Sequence, residues 1–503
     1  MSAASEPAAR ISGPSVAAAI IVVGAALAGL FAWRTPAWQA PDEPAHANYI
    51  VQVVLRAPAW PVMEPGDWDP LQLERLQQFP DLRYGQHHDR AGLTYEDHQP
   101  PLYYALMAPP FLGWRNGDAL RCRYHWGLDL DLLSCDTLVA LGVRWLSILL
   151  LVLTLILTVR AVGTMLPTHL AVGHAATAFI AFLPMYAYMS AVVNNDALAN
   201  LVMAIALLAA VRRVAGLTTR RRYVVWAGLI WGTALLTKLT VYPVILPLVV
   251  AEGLRTRREG APMRDAVAPA LRSVGLGLLI AAPWFIRNMF VYGITDPFGL
   301  AAHDRVVVGQ PRTADWIAEH GWGGYLERAV VFTFDSFWGV FGWMAAFMDR
   351  RIYIVLALAS VIMTIGFAGY VRRAWRASRA GRGIAIDASD DHGDDVDSDV
   401  GPLQRDVLVV FGLVVATTVG GYVWYNLTFV QHQGRYLFPA LIPIATAAML
   451  GIREWARWLA KAVRRPAWAE GIAAAGMAAF DAGLLATSVW ALVHVIPTLW
   501  PGQ

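Results

Sequence analysis

The chain has 503 residues, 57% of them hydrophobic and 15% charged, with a mean hydropathy of +0.46. A soluble globular protein carries roughly a quarter charged residues, so one soluble domain could not hide this much apolar surface, and disorder is excluded on the same ground. The net charge is only +3, but the apolar residues fall in long runs and the arginines in short clusters: the pattern of an all-α polytopic membrane protein.

Residues 1–13 precede the first apolar run, 14–33. That run has the length of a full span and lacks a small-x-small cleavage site, so it reads as an uncleaved helix with a cytoplasmic N-terminus rather than a signal peptide. A polar and aromatic stretch, 35–137, follows and is placed outside. The next spans are expected near 138–160, 170–190 and 196–212, the last ending at Arg212, Arg213 and Arg220 to Arg222. Further basic clusters stand at Arg255, Arg257, Arg258 and Arg264, at Arg372, Arg373, Arg376, Arg379 and Arg382, and at Arg453, Arg457, Lys461, Arg464 and Arg465. Short basic loops mark the cytoplasmic side.

Because Arg222 and Arg255 are both placed inside, the chain between them must cross an even number of times. It offers only about 48 Å of helix against roughly 60 Å for two crossings. A short hairpin with a submerged tip near Thr237 to Pro243 resolves this, and the tip carries Lys238. Spans near 266–286, 352–371, 405–426, 436–452 and 469–491 bring the total to about eleven, with the C-terminus outside. Residues 384–401 are acidic and read as a disordered cytoplasmic linker. The expected organisation is a cytoplasmic N-terminus (1–13), a membrane module with its large outer loop (14–383), the linker (384–401) and C-terminal helices (402–503).

Cys122 and Cys135, the two cysteines, both precede the second span on the oxidising side. A disulfide between them would contribute about 3 kcal/mol on the chain-entropy account. The remaining polar groups of interest fall mostly on the same side. Asp42 and Glu43 follow the first helix, with His46 close by. Pro44 suits a first helical turn, so capping explains one carboxylate; two adjacent carboxylates raise one pKa, which suits a general base. Tyr95 to Pro101 lead into an apolar segment ending near Trp114, too short to span comfortably, which reads as an interfacial helix. Asn194, Asn195 and Asp196 stand at a helix turn, where capping and binding are both open. An ammonium at a submerged tip makes Lys238 a functional candidate. Arg287 sits in Trp284–Asn288 at a helix exit. Arg435, in Gln431–Tyr436, opens a helix against its dipole and so calls for an anion. Lys238 and Arg435 are expected to share one phosphate. A carboxylate pair beside a ring of cations suits sugar transfer from a lipid-linked phosphate, with the cations holding the departing charge.

The order of PDEPAHANYI, HQPPLYY, NNDALAN, LLTK, WFIRN, SFWGVFGW and QGRYLFPAL resembles the GT-C superfamily of integral-membrane glycosyltransferases. The resemblance covers about residues 14–452 and is closest to a bacterial branch related to protein O-mannosyltransferases and lipid A aminoarabinose transferases. It implies a GT-C-like helical bundle, a polyprenyl-phosphate sugar donor, an outer-leaflet site in a bacterial plasma membrane, and inversion at the anomeric carbon. It also implies a glycan, lipid or protein acceptor and no nucleic-acid partner. By analogy Asp42 is the base and Glu43 its helper, while Lys238, Arg287 and Arg435 contact phosphate. His46, His98, Gln99, Asn195, Asp196, Asn288, Gln433 and Tyr436 are then expected around the sugar or acceptor. Two departures stand out. Gln99 replaces a lysine that aminoarabinose transferases carry before the Pro-Pro pair, and the sequence stops soon after its last expected span, where many relatives continue into a soluble domain, so acceptor recognition is left unassigned. No cofactor is implied, and a divalent metal is left open. From other classes, a flippase for a lipid-linked saccharide would need the cations but not the carboxylates, and a degenerate family member acting as an envelope-assembly scaffold is the third alternative.

Overall fold

The computed structural model describes residues 13–78, 93–117, 119–120, 135–380 and 401–500. The expectations for the segment before the first helix, for the Cys122–Cys135 disulfide and for the 384–401 linker lie outside the described residues.

The first helix, α1 (Gly13–Arg34), is followed by α2 (Glu43–Arg56), α3 (Pro70–Gln78) and α4 (Leu102–Met107) in the large loop. Then come α5 (Cys135–Met165), α6 (Leu170–Phe182), α7 (Pro184–Met189), α8 (Asp196–Val214), α9 (Arg220–Leu235), α10 (Ile245–Arg258) and α11 (Val267–Tyr292). After α12 (Leu300–Val306) and α13 (Thr313–Trp338) the chain continues as α14 (Arg350–Ala380), α15 (Pro402–Asn426), α16 (Leu441–Ala462) and α17 (Ala469–His494). Among the described residues, sheet is limited to two two-stranded ribbons. Among the described residues, nine helices are long and apolar enough to cross a membrane.

Two further elements complete the passes. The span expected at 170–190 breaks at Leu183, whose backbone is extended, because Pro184 cannot donate to the helix and displaces its predecessor from the α region. It therefore runs as α6 and α7. The short hairpin is formed by α9, a 3-10 turn over Leu239–Val244 and α10. Its tip is closed by the Trp231 indole donating to the Tyr242 carbonyl (3.0 Å) and the Tyr242 hydroxyl donating to that of Leu235 (2.9 Å). Counting α6–α7 and α9, the described chain passes from end to end eleven times.

One end of the bundle is held by ion pairs among the basic clusters. Arg213 and Arg220 meet Glu252 (2.6 and 2.8 Å), Arg258 meets Asp406 (2.6 Å), Arg373 meets Glu454 (2.8 Å), and Arg453 meets Glu470. Gln404 bonds the Met165 carbonyl and His169 contacts Arg453, so these links run continuously across one face. The carboxylate and histidine motifs gather at the other end. There Trp500 bonds the Arg34 carbonyl (2.8 Å), joining the last helical segment to the first.

The sequence reading missed α13. Thr313 and Tyr325 both bond the Asn426 carbonyl (2.8 Å each), while Ser336 accepts from the Gly434 amide (2.8 Å). The two ends of the helix are thus tied to the last residue of α15 and to the segment that leads into α16, so it lies along the site end instead of crossing. Its chain bends at Gly321, whose φ of 71° places it in the left-handed region.

Candidate active site

Asp42 and Glu43 are consecutive but point into different surroundings. Asp42 adopts φ 64°, ψ −1°, and this left-handed step turns the two side chains apart. It precedes α2 without making a side-chain capping bond, so capping does not explain its carboxylate. Glu43 is fully buried. It takes two hydrogen bonds from Arg144 (2.7 and 2.6 Å) and one each from the Trp38 and Val193 amides (3.0 and 3.1 Å). Arg144 spends its remaining protons on the Ala32, Thr35 and Pro36 carbonyls. Glu43 does not line the cavity described below, so its expected role as catalytic helper is corrected to a buried structural one. Arg144, an arginine inside the apolar 138–160 run, was the readable sign of this pair.

The loop 93–101 is strapped onto α2. Asn48 bonds the Leu93 carbonyl (2.8 Å), Gln52 bonds Asp97 (2.8 Å), and Tyr49 bonds the Gln99 carbonyl (3.1 Å) while stacking on Tyr104 at 3.6 Å. The Leu102 amide donates to the Leu236 carbonyl of the hairpin tip (2.9 Å), and the Asn194 amide to the Tyr103 hydroxyl (3.2 Å). Tyr103, Tyr104 and Met107 of α4 are buried while Leu106 is exposed, so this amphipathic segment locks the loop to the bundle.

These elements enclose a cavity of about 1310 Å³, whose walls include Asp42, His46, Glu96, His98, Gln99, Lys238, Gln433, Arg435 and Tyr436. Arg435 crosses it to Asp42: Nη2 lies 2.7 Å from Oδ2, and the other Asp42 oxygen accepts from the Tyr95 hydroxyl (3.2 Å). Arg435 Nε donates to Gln433 (2.6 Å), its guanidinium lies over the Tyr436 ring (5.4 Å), and Nη1 is buried without a partner. Lys238 pairs with Asp196 and is close enough for its charge to act on Asp42. The anion that Arg435 called for is therefore present as Asp42, and Lys238 has its own carboxylate. The expectation that each cation is costly without a shared phosphate is corrected accordingly.

Glu96 and Asp304 share the cavity wall with Asp42, and Glu43 does not. Burial pushes Glu96 up to about 8, reinforced by the Asp42 charge, and its Oε2 is buried without a partner. Burial alone would raise Asp42 too, but Arg435, His46 and Lys238 outweigh it and hold that carboxyl below its ordinary value. Like-charge repulsion thus acts between Asp42 and Glu96 and raises Glu96, so the expected raised value for Asp42 as base is corrected. Burial, aided by Lys238, lowers His46 to about 3, and its Nδ1 meets the Tyr104 hydroxyl at 2.8 Å.

Other expected residues are placed as follows. His98 stacks obliquely with His303 at 4.6 Å on the cavity wall. Asn195 reaches Gln99 (3.3 Å), and its Oδ1 is buried and unpartnered. Asn194, rather than Asn195, takes the Asp196 amide. Arg287 and Asn288 do not line the cavity. The α11 helix continues to Tyr292, past the expected exit at 286, and Arg287 bonds the Trp60 and Pro61 carbonyls and Asn288. Asn288 in turn holds the Pro297 carbonyl (3.0 Å). Their expected contacts with phosphate and sugar are corrected to loop anchoring. Among the described residues, no group of three or more His, Cys, Asp or Glu side chains converges as a metal site would.

The family described as dolichyl-phosphate-mannose-protein mannosyltransferase matches residues 136–286, a segment that leaves out Asp42, Glu96 and Arg435. No curated protein matches the chain. The apo crystal structure of the Archaeoglobus fulgidus oligosaccharyltransferase is similar at a TM-score of 0.50 and 11% identity, over 93% of this chain and 56% of that one. ArnT from Cupriavidus metallidurans, solved with undecaprenyl phosphate bound, is similar at a TM-score of 0.41 and 15% identity, over 96% and 74%. The chain spans about half the length of the oligosaccharyltransferase that it matches, and the likeness is one of fold over 93% of this chain.

Proposed function

We propose that this protein is an inverting glycosyltransferase that moves a sugar from a polyprenyl-phosphate donor to an acceptor hydroxyl on the extracytoplasmic side. The observation that carries this reading is the Asp42–Arg435 ion pair on the wall of a single large cavity, with Lys238 on the same wall and close enough for its charge to act on Asp42. The basic clusters occupy the opposite end, which supports an extracytoplasmic cavity.

Asp42 accepts the proton of the acceptor hydroxyl as its oxygen bonds the anomeric carbon. The bond from that carbon to the phosphate oxygen breaks, and the polyprenyl phosphate leaves with the electron pair. Arg435 and Lys238 stabilise the charge that grows on the leaving group. His46, Gln99 and Tyr436 bound the space for the sugar and acceptor.

The test is Asp42→Asn in purified, nanodisc-embedded protein given synthetic polyprenyl-phosphate sugars. Turnover should fall by about 10²- to 10⁴-fold while undecaprenyl-phosphate binding survives. Near-normal turnover in the variant rules out Asp42 as the base.

A further inference from the structure

The same cavity holds a second polar centre that the reaction above does not use. Arg328 of α13, Gln310 and His432 all line it. Arg328 makes no hydrogen bond or ion pair among the described residues. Its guanidinium lies over the rings of Trp316 (4.9 Å) and Phe332 (4.8 Å), and its Nε is buried without a partner. Aromatic faces fix the plane of a guanidinium but do not neutralise it. His432 is 1% exposed, packs edge-on against Tyr325 at 4.8 Å, and has no partner for either ring nitrogen. Burial, reinforced by the Arg328 charge, lowers it to about 4, so the ring is neutral and offers one donor and one acceptor. The Gln310 side-chain carbonyl oxygen is likewise buried and unpartnered. Buried polar atoms without partners are unfavourable unless something bonds them.

We propose that Arg328, His432 and Gln310 form a subsite for an acidic, hydroxyl-bearing part of the substrate, with the oxyanion on Arg328 and neighbouring hydroxyls on His432 and Gln310. This rests on reading the cavity as a glycosyl-transfer site. A guanidinium fork matches a carboxylate or phosphate, and a donor beside an acceptor is what a hydroxyl requires. A uronate sugar satisfies all three side chains. The second phosphate of a lipid diphosphate would satisfy Arg328 but leave the Gln310 oxygen without a donor.

Binding of glucuronate, glucose, undecaprenyl phosphate and undecaprenyl diphosphate would be measured calorimetrically on the full chain in nanodiscs, for the native protein, Arg328→Met and Arg328→Lys. The native protein should prefer glucuronate to glucose. Arg328→Met should lose about tenfold or more in glucuronate affinity with undecaprenyl-phosphate affinity retained as the control for folding, and Arg328→Lys should recover only part. A loss confined to the diphosphate supports the subsite with the lipid as the source of its anion. Native protein that shows no preference for either acidic probe, or Arg328→Met that binds both as the native protein does, overturns the subsite. Failure of the native protein to bind undecaprenyl phosphate instead strikes the wider reading.

Discussion

Asp42 and Arg435, 393 positions apart in the chain, meet at 2.7 Å on the wall of one cavity. In the proposed reaction this contact makes the basicity of Asp42 conditional. While Arg435 rests on Asp42, the carboxyl is held below its ordinary value. As a departing phosphate gathers charge it competes for the same guanidinium, and Asp42 becomes the better proton acceptor when a proton must be taken.

Donor affinity should register both cations. Removing Lys238 or Arg435 by methionine substitution is expected to weaken undecaprenyl-phosphate binding by about 1.5–3 kcal/mol each. Because both would serve one phosphate, the double variant should lose less than the sum. Strict additivity across the double-mutant cycle, or unchanged affinity in either single variant, separates the two residues.

Glu96 predicts a pH dependence of known sign. The folded protein holds the Glu96 proton up to about 8, whereas the ordinary value is 4.5. Its contribution to stability is therefore fully present below about 4.5 and is lost as pH rises through about 8. Ionisation would also place a second negative charge beside Asp42, so donor affinity should fall on the order of tenfold on going from pH 7 to pH 9. Glu96→Gln should abolish that fall and hold its affinity at pH 9. Parallel profiles in the two proteins would remove Glu96 from the site's electrostatics.

The Glu43–Arg144 pair should behave as architecture. Glu43→Gln is expected to lower stability by about 3–5 kcal/mol, because it strips a fully buried guanidinium of its anion. Replacing both residues by methionine should not restore the native value, since the Ala32, Thr35 and Pro36 carbonyls lose their donors as well. Thermal unfolding in detergent measures both effects, and an unaltered midpoint in Glu43→Gln would contradict them.

The crossing of α14 and α16 predicts a steric penalty. A Cβ on Gly451 would collide with the Met363 carbonyl, and one on Gly366 with the Gly451 carbonyl and the Trp455 ring. Alanine at either position should destabilise by about 1–3 kcal/mol. Gly412→Ala on α15, where a Cβ meets open space, is the matched control and should be tolerated.

Hydropathy and arginine clustering were enough to read the passes of the bundle and to separate its two ends, because both are set by composition over some twenty residues. They did not reveal α13, in which Glu319, Glu327, Arg328 and Asp335 interrupt the apolar pattern. The helix lies along the end of the bundle, where such charges are admissible. The motifs identified Asp42, Lys238 and Arg435 as cavity residues, but not who faces whom. Which of two adjacent carboxylates enters the cavity depends on a single backbone angle at Asp42. That Glu96 becomes its neighbour depends on hydrogen bonds that strap a distant loop onto α2.

The ion-paired end of the bundle divides its arginines into two populations. Arg213, Arg220, Arg258, Arg373 and Arg453 are engaged with carboxylates of the same chain, whereas Arg212, Arg221, Arg222, Arg257, Arg264 and Arg372 are exposed. The first group is masonry: its loss loosens the bundle whatever lipid surrounds it. The second is footing, charge left over for anionic headgroups, each contact worth about 1 kcal/mol and weakened by salt. The protein's seating in a bilayer should thus respond to lipid charge and ionic strength while its fold does not.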